Sequence, residues 1–289
     1  MYFKGVYTAI VTPFTASGEV DFSKLEELVE FNIAGGVDGL VPAGTTGESP
    51  TLHPDEHLKV IETVAMTAAG RCKIIAGTGA NSTAEAVDLT AAAKEYKVDG
   101  TLQVTPYYNK PNNAGLIQHF SAVADLGVPV VLYNVPGRSA LEIPLEVVAE
   151  LSQHPNIVSI KEAAGSVQRV TAIKNLCDIE VLSGDDSLAL PMIKEGALGV
   201  ISVASNIIPA EVVALVSAAL AGDYETAQGV HDKYVKTFED LFVDTNPIPI
   251  KAAMAMKGLI EEAYRLPMCS TTDKNKAVLR KTLEDAGVL

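Results

Sequence analysis

The chain has 289 residues, and its 36 acidic and 22 basic side chains give a formal net charge of −14. This acidic balance argues against a nucleic acid or an anionic membrane as a partner, because both are bound through basic surfaces. Apolar residues make up 48% of the chain, which is enough for a sizeable core. No run of about 18 apolar residues predicts a membrane-spanning helix.

The N-terminus and the cysteines predict a cytoplasmic protein. The first residues run directly into strand-like sequence, without the apolar stretch and small-residue cleavage site of a signal peptide. Cys72, Cys177 and Cys269 lie far apart and form no CxxC pair. A sparse, odd number of cysteines fits a reducing compartment, and we expect all three to be small packed side chains.

Eight short apolar segments recur along the chain and predict eight β-strands. Their near-continuous apolar character is typical of parallel strands that are covered on both faces. The predicted strands span residues 7–13, 39–44, 73–79, 100–106, 129–136, 157–163, 180–186 and 199–205. Apolar residues at helical spacing occupy the intervening segments, for example 23–35 and 82–96. Ser23 and Ser82 are the expected N-caps of these two helices, each followed by a glutamate three residues later.

Alternating strands and helices of this number predict a closed (β/α)8 barrel of the α/β class, a TIM barrel. The rival is an open, doubly wound sheet, which normally carries a glycine-rich phosphate-binding turn after its first strand. Residues 12–14 at the end of the first strand contain no glycine, and residues 76–81 contain only two. The sequence therefore favours the barrel.

More than a quarter of the chain follows the last predicted strand. Helices are predicted over residues 209–220, 224–243, 250–264 and 273–286, with prolines separating the second from the third. No glycine- or serine-rich linker divides this region from the strands. We therefore expect a catalytic barrel over residues 1–206 and a C-terminal helical region over residues 207–289 that packs on it.

Polar segments follow five of the predicted strands, at the end of a barrel where its chemistry collects. These segments are GTTGE at 44–48, TPYYN at 105–109, YNVPGR at 133–138, IKEA at 160–163 and SGDD at 183–186. No histidine or third carboxylate stands at metal-ligand spacing near Asp185 and Asp186, so the sequence predicts no metal site. Asp186 or Ser187 is the expected N-cap of the next helix.

Lys161 is the most specific of these polar residues, because it ends an apolar strand. A lysine held in a barrel mouth with little water is pushed toward its neutral form, which attacks a carbonyl group to form a Schiff base. The alternative is a lysine that reaches out to water and pairs with Glu162. The hydroxyl groups that converge at the same rim favour the Schiff base.

Tyr133, Tyr108 and Thr45 are candidates for proton transfer, because hydroxyl groups that share a proton chain with a substrate act as a relay. The alternative is ordinary packing, since a buried tyrosine commonly finds one partner for its hydroxyl group. Tyr107 and Tyr108 are adjacent and point to opposite sides of an extended segment. At most one of them faces a given pocket.

Two further features are candidates for binding a carboxylate. Thr45 and Thr46 lie between glycines and offer hydroxyl and backbone N–H groups, as in an anion nest, although a plain threonine-rich turn has the same sequence. Arg138 follows Gly137, and its planar guanidinium suits a bidentate contact to a carboxylate. A surface ion pair is the alternative for Arg138.

Together these five ordered motifs resemble the dihydrodipicolinate synthase and N-acetylneuraminate lyase family of pyruvate-dependent class I aldolases. The resemblance covers essentially the whole chain, including the C-terminal helices. It implies that Lys161 forms the Schiff base with pyruvate and that Tyr133 donates and accepts the proton beside it. It further implies that Thr45 and Tyr108 complete the relay, with Tyr108 supplied by a neighbouring subunit.

The resemblance also implies the binding groups. Thr46 holds the pyruvate carboxylate, the backbone at Ile201 contacts pyruvate, and Arg138 binds the carboxylate of aspartate semialdehyde. Since sialic acid lyases carry a different pattern after the tyrosine, Arg138 favours condensation of pyruvate with aspartate semialdehyde, a step of lysine and diaminopimelate biosynthesis. The family implies no metal or cofactor, and a homotetramer built as two dimers.

Relatives that are inhibited by lysine bind it at a subunit interface, and part of that pattern is present here. Five residues match it: Ser49, His57, Asn81, Glu85 and Tyr107. Pro50 and Pro54 do not match, and Pro54 stands where a histidine or an aromatic residue usually lies against the ligand. We therefore expect L-lysine to inhibit weakly or not at all.

Two rival functions remain open from the sequence. A retro-aldolase that cleaves sialic acid or a 2-keto-3-deoxy sugar acid uses the same lysine and tyrosine. A non-catalytic ligand-binding barrel keeps the fold without the reaction.

Overall fold

The computed structural model describes residues 1–289, and its centre is a closed barrel of eight parallel strands in the order of the sequence. The strands are β1 Gly5–Thr8, β2 Gly39–Leu40, β3 Lys73–Gly77, β4 Gly100–Val104, β5 Val130–Asn134, β6 Ile157–Glu162, β7 Glu180–Ser183 and β8 Gly199–Ser202. Each predicted segment contributes one strand, so the predicted (β/α)8 barrel is confirmed. The motifs at 44–48 and 105–109 lie in the loops beyond β2 and β4, whereas the other three begin on the last residues of β5, β6 and β7 and continue into the loops.

Twelve α-helices complete the chain. They are α1 Phe22–Ala34, α2 Pro54–Ala68, α3 Thr83–Lys94, α4 Asn113–Ala124, α5 Pro136–Ser139, α6 Leu145–Leu151, α7 Gln168–Lys174, α8 Asp186–Lys194, α9 Pro209–Leu220, α10 Tyr224–Asp240, α11 Ile248–Met256 and α12 Asp273–Asp285. None of them is both long and apolar enough to cross a membrane.

The buried apolar side chains form two clusters. A smaller one fills the inside of the barrel and includes Phe3, Tyr7 and Ile201, and a larger one lies between the strands and the surrounding helices. This arrangement explains the near-continuous apolar strands, because both of their faces are covered. The interior below the mouth is therefore solid, and the space for a ligand is at its open end.

Two helix starts differ from those expected. Asp21 is the N-cap of α1, and its carboxylate accepts a hydrogen bond from the backbone N–H of Lys24 at 2.9 Å, so the prediction of Ser23 as the cap is wrong. Asp185 precedes α8 and Asp186 is already its first residue, so the prediction of Asp186 or Ser187 as the cap is also wrong. Ser82 does precede α3, without a side-chain capping bond.

The C-terminal helices α9 to α12 pack against the barrel and one another. Helix α9 contacts β1, α10 lies against α8 and α9, and α12 packs on α10 and α11. Helix α9 has the predicted bounds, whereas α11 ends at Met256, well before the predicted end at residue 264. Residues 257–272 are irregular, and Cys269 is exposed there. The expectation of a packed side chain is therefore wrong for Cys269.

Candidate active site

Two neighbouring cavities open at the carboxyl ends of the strands. The smaller has a volume of about 80 Å³ and contains Lys161, and the larger has a volume of about 700 Å³. Both are lined by Thr45, Tyr133 and Arg138. Thr46 lines the smaller one as well, so the structure brings five of the predicted catalytic and substrate-binding residues together, with a small pocket around the lysine and a wider space beside it.

Lys161 and Tyr133 lie side by side on β6 and β5, where they are direct partners in the strand register. Lys161 is 5% exposed, and its Nζ atom lies 4.3 Å from the centroid of the Tyr133 ring. Gly184 on the next loop allows this placement, because a Cβ atom there would lie 3.1 Å from Cε of Lys161. The lysine is therefore buried with an aromatic ring beside it and no anionic partner.

Glu162 does not pair with Lys161, so the alternative of a lysine paired with Glu162 is wrong. The carboxylate of Glu162 accepts hydrogen bonds from Nδ2 of Asn134 at 2.9 and 3.0 Å and from Nε of Arg169 at 2.9 Å. Successive residues of a strand point to opposite faces, so Glu162 faces outward where Lys161 faces inward.

The Thr45–Thr46 turn is held by the C-terminal region. The hydroxyl group of Thr46, which is buried, accepts a hydrogen bond from Nδ2 of Asn246 at 3.0 Å. Glu48 has a left-handed backbone with φ of 53° and forms an ion pair with Lys251 of α11. The backbone N–H of Arg265 donates to the same carboxylate at 3.3 Å. Three partners from the C-terminal region therefore hold this turn in place.

Arg138 lies on the short helix α5, with its side chain exposed to the cavities. Its guanidinium donates to the backbone oxygen of Asn246 at 3.0 Å and forms no ion pair, so the alternative of a surface ion pair is wrong. A neutral carbonyl group thus positions the guanidinium of Arg138, and the positive charge of the guanidinium remains available to an anionic ligand.

Sequence reasoning missed Asn246 and Phe242, both of which line the Lys161 pocket. Asn246 contacts Thr46 and Arg138, and its Oδ1 atom is buried without a hydrogen-bond partner. In the sequence, Asn246 stood out only as the start of a proline-containing break between two helices. Its distance of 200 residues from Thr46 hid the contact.

Three predicted residues lie apart from the Lys161 pocket. Tyr108 is 91% exposed, has a left-handed backbone with φ of 73°, and lines neither cavity. Tyr107 lines the larger cavity, so the two neighbours do point to different sides. Ile201 is buried inside the barrel, and Val203 from the same strand end lines the pocket instead.

Most residues of the expected lysine pocket line the larger cavity. They are Ser49, His57, Glu85 and Tyr107, together with Pro50 and Pro54. Asn81 is not part of this lining, but its Nδ2 atom donates to the backbone oxygen of Tyr107 at 3.2 Å. Pro54 is the first residue of α2, a position that favours proline.

Two acidic groups near the lysine differ in their surroundings. Asp186 is buried, and its Oδ2 atom accepts the backbone N–H groups of Val203 and Ala204, each at 2.9 Å. Asp185 lines the Lys161 pocket. Burial raises the pKa of both carboxyl groups; that rise is opposed mainly by hydrogen bonds at Asp186 and by the nearby Lys161 at Asp185. Asp186 thus holds the end of β8 beside the pocket.

The sequence model of the family described as "Dihydrodipicolinate synthetase family" matches residues 2–286. The chain belongs to this family. A Geobacter sulfurreducens protein named 4-hydroxy-tetrahydrodipicolinate synthase is 50% identical over 286 residues, which are 98% of each chain. These matches span the barrel and the C-terminal helices alike.

Solved structures of the same family superimpose closely on the chain. A dihydrodipicolinate synthase from Aquifex aeolicus has a TM-score of 0.97 at 46% identity and covers 99% of both chains. A second solved relative, described as the first monomeric dihydrodipicolinate synthase variant, has a TM-score of 0.97 at 38% identity, covering 100% of this chain and 98% of its own. The monomeric variant and the Aquifex aeolicus protein therefore share this subunit fold.

Proposed function

We propose that this family member is a lyase of the Schiff-base-forming aldolase type that condenses pyruvate with aspartate semialdehyde, giving 4-hydroxy-tetrahydrodipicolinate for lysine and diaminopimelate biosynthesis. The observation that carries the proposal is the burial of Lys161 beside Tyr133, without an anionic partner, in a pocket of about 80 Å³. Such a pocket suits a small 2-oxo acid, and the wider cavity beside it has room for a second substrate.

The first step joins Lys161 to pyruvate. The neutral amine attacks the ketone carbon, and loss of water leaves an imine between Nζ and that carbon. We assign the pyruvate carboxylate to the Thr45–Thr46 turn, whose hydroxyl and N–H groups suit an anion. The contacts of Thr46 with Asn246 and of Glu48 with Lys251 support this assignment, because they hold the turn rigidly at the pocket wall.

The second step makes the carbon–carbon bond. A methyl proton leaves the protonated imine to give an enamine, with the iminium group as the electron sink. The enamine carbon attacks the aldehyde carbon, whose oxygen takes up a proton and becomes a hydroxyl group. The amine of the second substrate then attacks the imine carbon and expels Lys161. Tyr133, Thr45 and Tyr108 are assigned the proton transfers.

Arg138 is assigned the carboxylate of aspartate semialdehyde. Its guanidinium lines both cavities and contacts no acidic side chain, and a planar fork suits a carboxylate. The proposed reaction uses neither a metal nor a cofactor. Ile201 is assigned a backbone contact with pyruvate, which its position on β8 beside the pocket-lining Val203 supports.

A homo-oligomer, formed as a tetramer of two dimers, is part of the proposal. Tyr108 supports it, because this exposed side chain lines neither cavity of its own chain and is free to enter that of a neighbour. The monomeric relative shows that the fold itself does not require association. We propose the cytoplasm as the place of action, which the three unpaired cysteines support.

Two assays test the proposed function. Borohydride reduction in the presence of pyruvate should add a stable mass to the chain, and a coupled assay should show turnover of pyruvate with aspartate semialdehyde. N-acetylneuraminate is assayed beside them as a substrate for cleavage. An adduct without condensation but with cleavage would favour the retro-aldolase, and the absence of any adduct would favour a ligand-binding barrel.

A further inference from the structure

A buried ionic network lies directly behind the two central residues of the site. Asn134, Glu162 and Arg169 form it, and we call these three residues the loop clamp. Glu162 is completely buried and accepts hydrogen bonds from Nδ2 of Asn134, from Nε of Arg169 and from the backbone N–H of Ala164. Burial of this carboxylate is compensated, because a cation and neutral donors satisfy it together.

The loop clamp is coupled to the site through the strands. Asn134 and Glu162 are partners in the register of β5 and β6, and each directly follows a site residue, Tyr133 or Lys161. Since side chains alternate along a strand, the clamp lies outside the barrel wall and the site residues inside. It can therefore act on the site without contacting a substrate.

Two of the three residues, Asn134 and Arg169, close the base of the loop over residues 135–142, which contains α5. Oδ1 of Asn134 accepts the backbone N–H of Ile143 at 2.9 Å. Arg169 donates to the backbone oxygen of Ile143 at 3.0 Å and pairs with Glu142 at 2.8 Å. Arg169 thus contacts the buried carboxylate and the far end of the loop at once, through separate nitrogen atoms.

We propose that Arg169 is a positioning residue for the second substrate: it holds the loop that carries Arg138 at the distance from Lys161 that the condensation requires. This inference rests on the proposed function. A lysine at position 169 keeps a positive charge beside Glu162, but a single ammonium cannot span the three acceptors that the guanidinium reaches. The charge and the loop contacts are therefore separable by substitution.

The decisive variant is Arg169→Lys, measured for two properties. Formation of the borohydride-trapped pyruvate adduct should stay within about twofold of the unchanged protein, because Lys161 and its pocket are intact. The KM for aspartate semialdehyde should rise by about tenfold or more, since a displacement of about 1 Å in a substrate-positioning group costs up to about 100-fold. Thermal unfolding checks that the variant is folded.

Two further variants complete the test. Arg169→Met removes the charge beside Glu162 as well as the loop contacts. This variant should unfold at a lower temperature and should also have a higher KM for aspartate semialdehyde. Arg71→Lys is the matched control, because the guanidinium of Arg71 likewise pairs with a carboxylate, that of Glu30, but on the surface. It should change neither property.

Two outcomes overturn the inference: Arg169→Lys with an unchanged KM for aspartate semialdehyde, or equal losses of adduct formation and second-substrate use. Failure of the proposed function itself is distinguishable, since the unchanged protein would then form no adduct or not consume aspartate semialdehyde.

Discussion

Glu48 and Lys251 lie 203 residues apart and form an ion pair in which the exposed fractions are only 1% and 0%. The ammonium of Lys251 also lies over the Phe14 ring, 4.1 Å from its centroid. Through this pair α11 is joined to the turn that contains Thr45 and Thr46. A contact between the start and the end of the chain therefore supports the proposed pyruvate site.

Breaking this pair should destabilise the protein strongly. Lys251→Met leaves the carboxylate of Glu48 buried without its cation, which costs about 3–5 kcal/mol. The double variant Glu48→Gln/Lys251→Met removes both charges and should recover part of that loss. Urea unfolding at a fixed protein concentration gives the free energy of unfolding of the single and the double variant. Lys281→Met is the control, because Lys281 forms an exposed pair with Asp285. Strictly additive losses would contradict coupling of the two buried charges.

Replacing Lys161 should abolish the covalent intermediate. Lys161→Ala should give no borohydride-trapped pyruvate adduct and lower the rate by several orders of magnitude, because no other amine lines the small pocket. Mass spectrometry of peptides locates the adduct in the unchanged protein. Lys251 serves as the internal comparison, because its ammonium is already paired with Glu48. An adduct on Lys251 would show that the site is assigned to the wrong lysine.

Replacing Arg138 should separate the two substrates. Arg138→Ala should raise the KM for aspartate semialdehyde about 10- to 100-fold, since a charge-assisted hydrogen bond contributes about 1.5–3 kcal/mol. Formation of the pyruvate adduct should change little. Arg138→Lys should not restore full activity, because an ammonium does not offer the planar fork. Steady-state kinetics with both substrates varied give the comparison, and an equal loss for both substrates contradicts the assignment.

L-Lysine should inhibit weakly. Ser49, Glu85 and Tyr107 still offer polar groups in the larger cavity, but Pro54 supplies neither a polar group nor a flat ring. A lost contact of about 1–1.5 kcal/mol weakens binding by about tenfold. The measurement is a lysine titration at saturating pyruvate, repeated on Pro54→His, which should bind lysine more tightly. Complete inhibition of the unchanged protein at sub-millimolar lysine would refute this expectation.

The ion pair of Glu56 with Arg265 should make stability fall in acid. The guanidinium of Arg265 lowers the pKa of Glu56 to about 2, below its value of about 4.3 in the unfolded chain. The pair therefore stabilises the fold fully above that unfolded pKa and loses its contribution as the pH falls toward 2. Since both side chains are partly exposed, about 1 kcal/mol is at stake. The free energy of unfolding is measured for Glu56→Gln and for the unchanged protein at pH 7 and pH 3. The difference between the two proteins should be smaller at pH 3.

The features that follow from local sequence were predictable. Each strand is a short apolar run, so the number and order of the strands followed from the pattern, and so did the polar loops after them. It was also predictable that Lys161 and Glu162 do not pair, because neighbouring side chains on a strand face opposite sides. The N-cap of α1 was not predictable, since Asp21 and Ser23 are both good capping residues only two positions apart.

The long-range polar contacts were not predictable from one sequence. Asn246 lines the Lys161 pocket only because the chain returns after 200 residues to contact Thr46. Nothing in its local sequence distinguishes such an asparagine from one in a plain loop. The position of Pro54 at the start of α2 likewise depended on where that helix begins.

The late position of Phe242, Asn246 and Lys251 has a consequence for synthesis on the ribosome. When the last strand has emerged from the ribosome, the nascent chain contains every strand-end motif. Glu48 still lacks its cationic partner Lys251 at that point, and the pocket still lacks the wall formed by Phe242 and Asn246. Pyruvate capture is therefore expected only after the final helices have emerged. A prematurely terminated chain would retain the lysine and the tyrosine without forming a working enzyme.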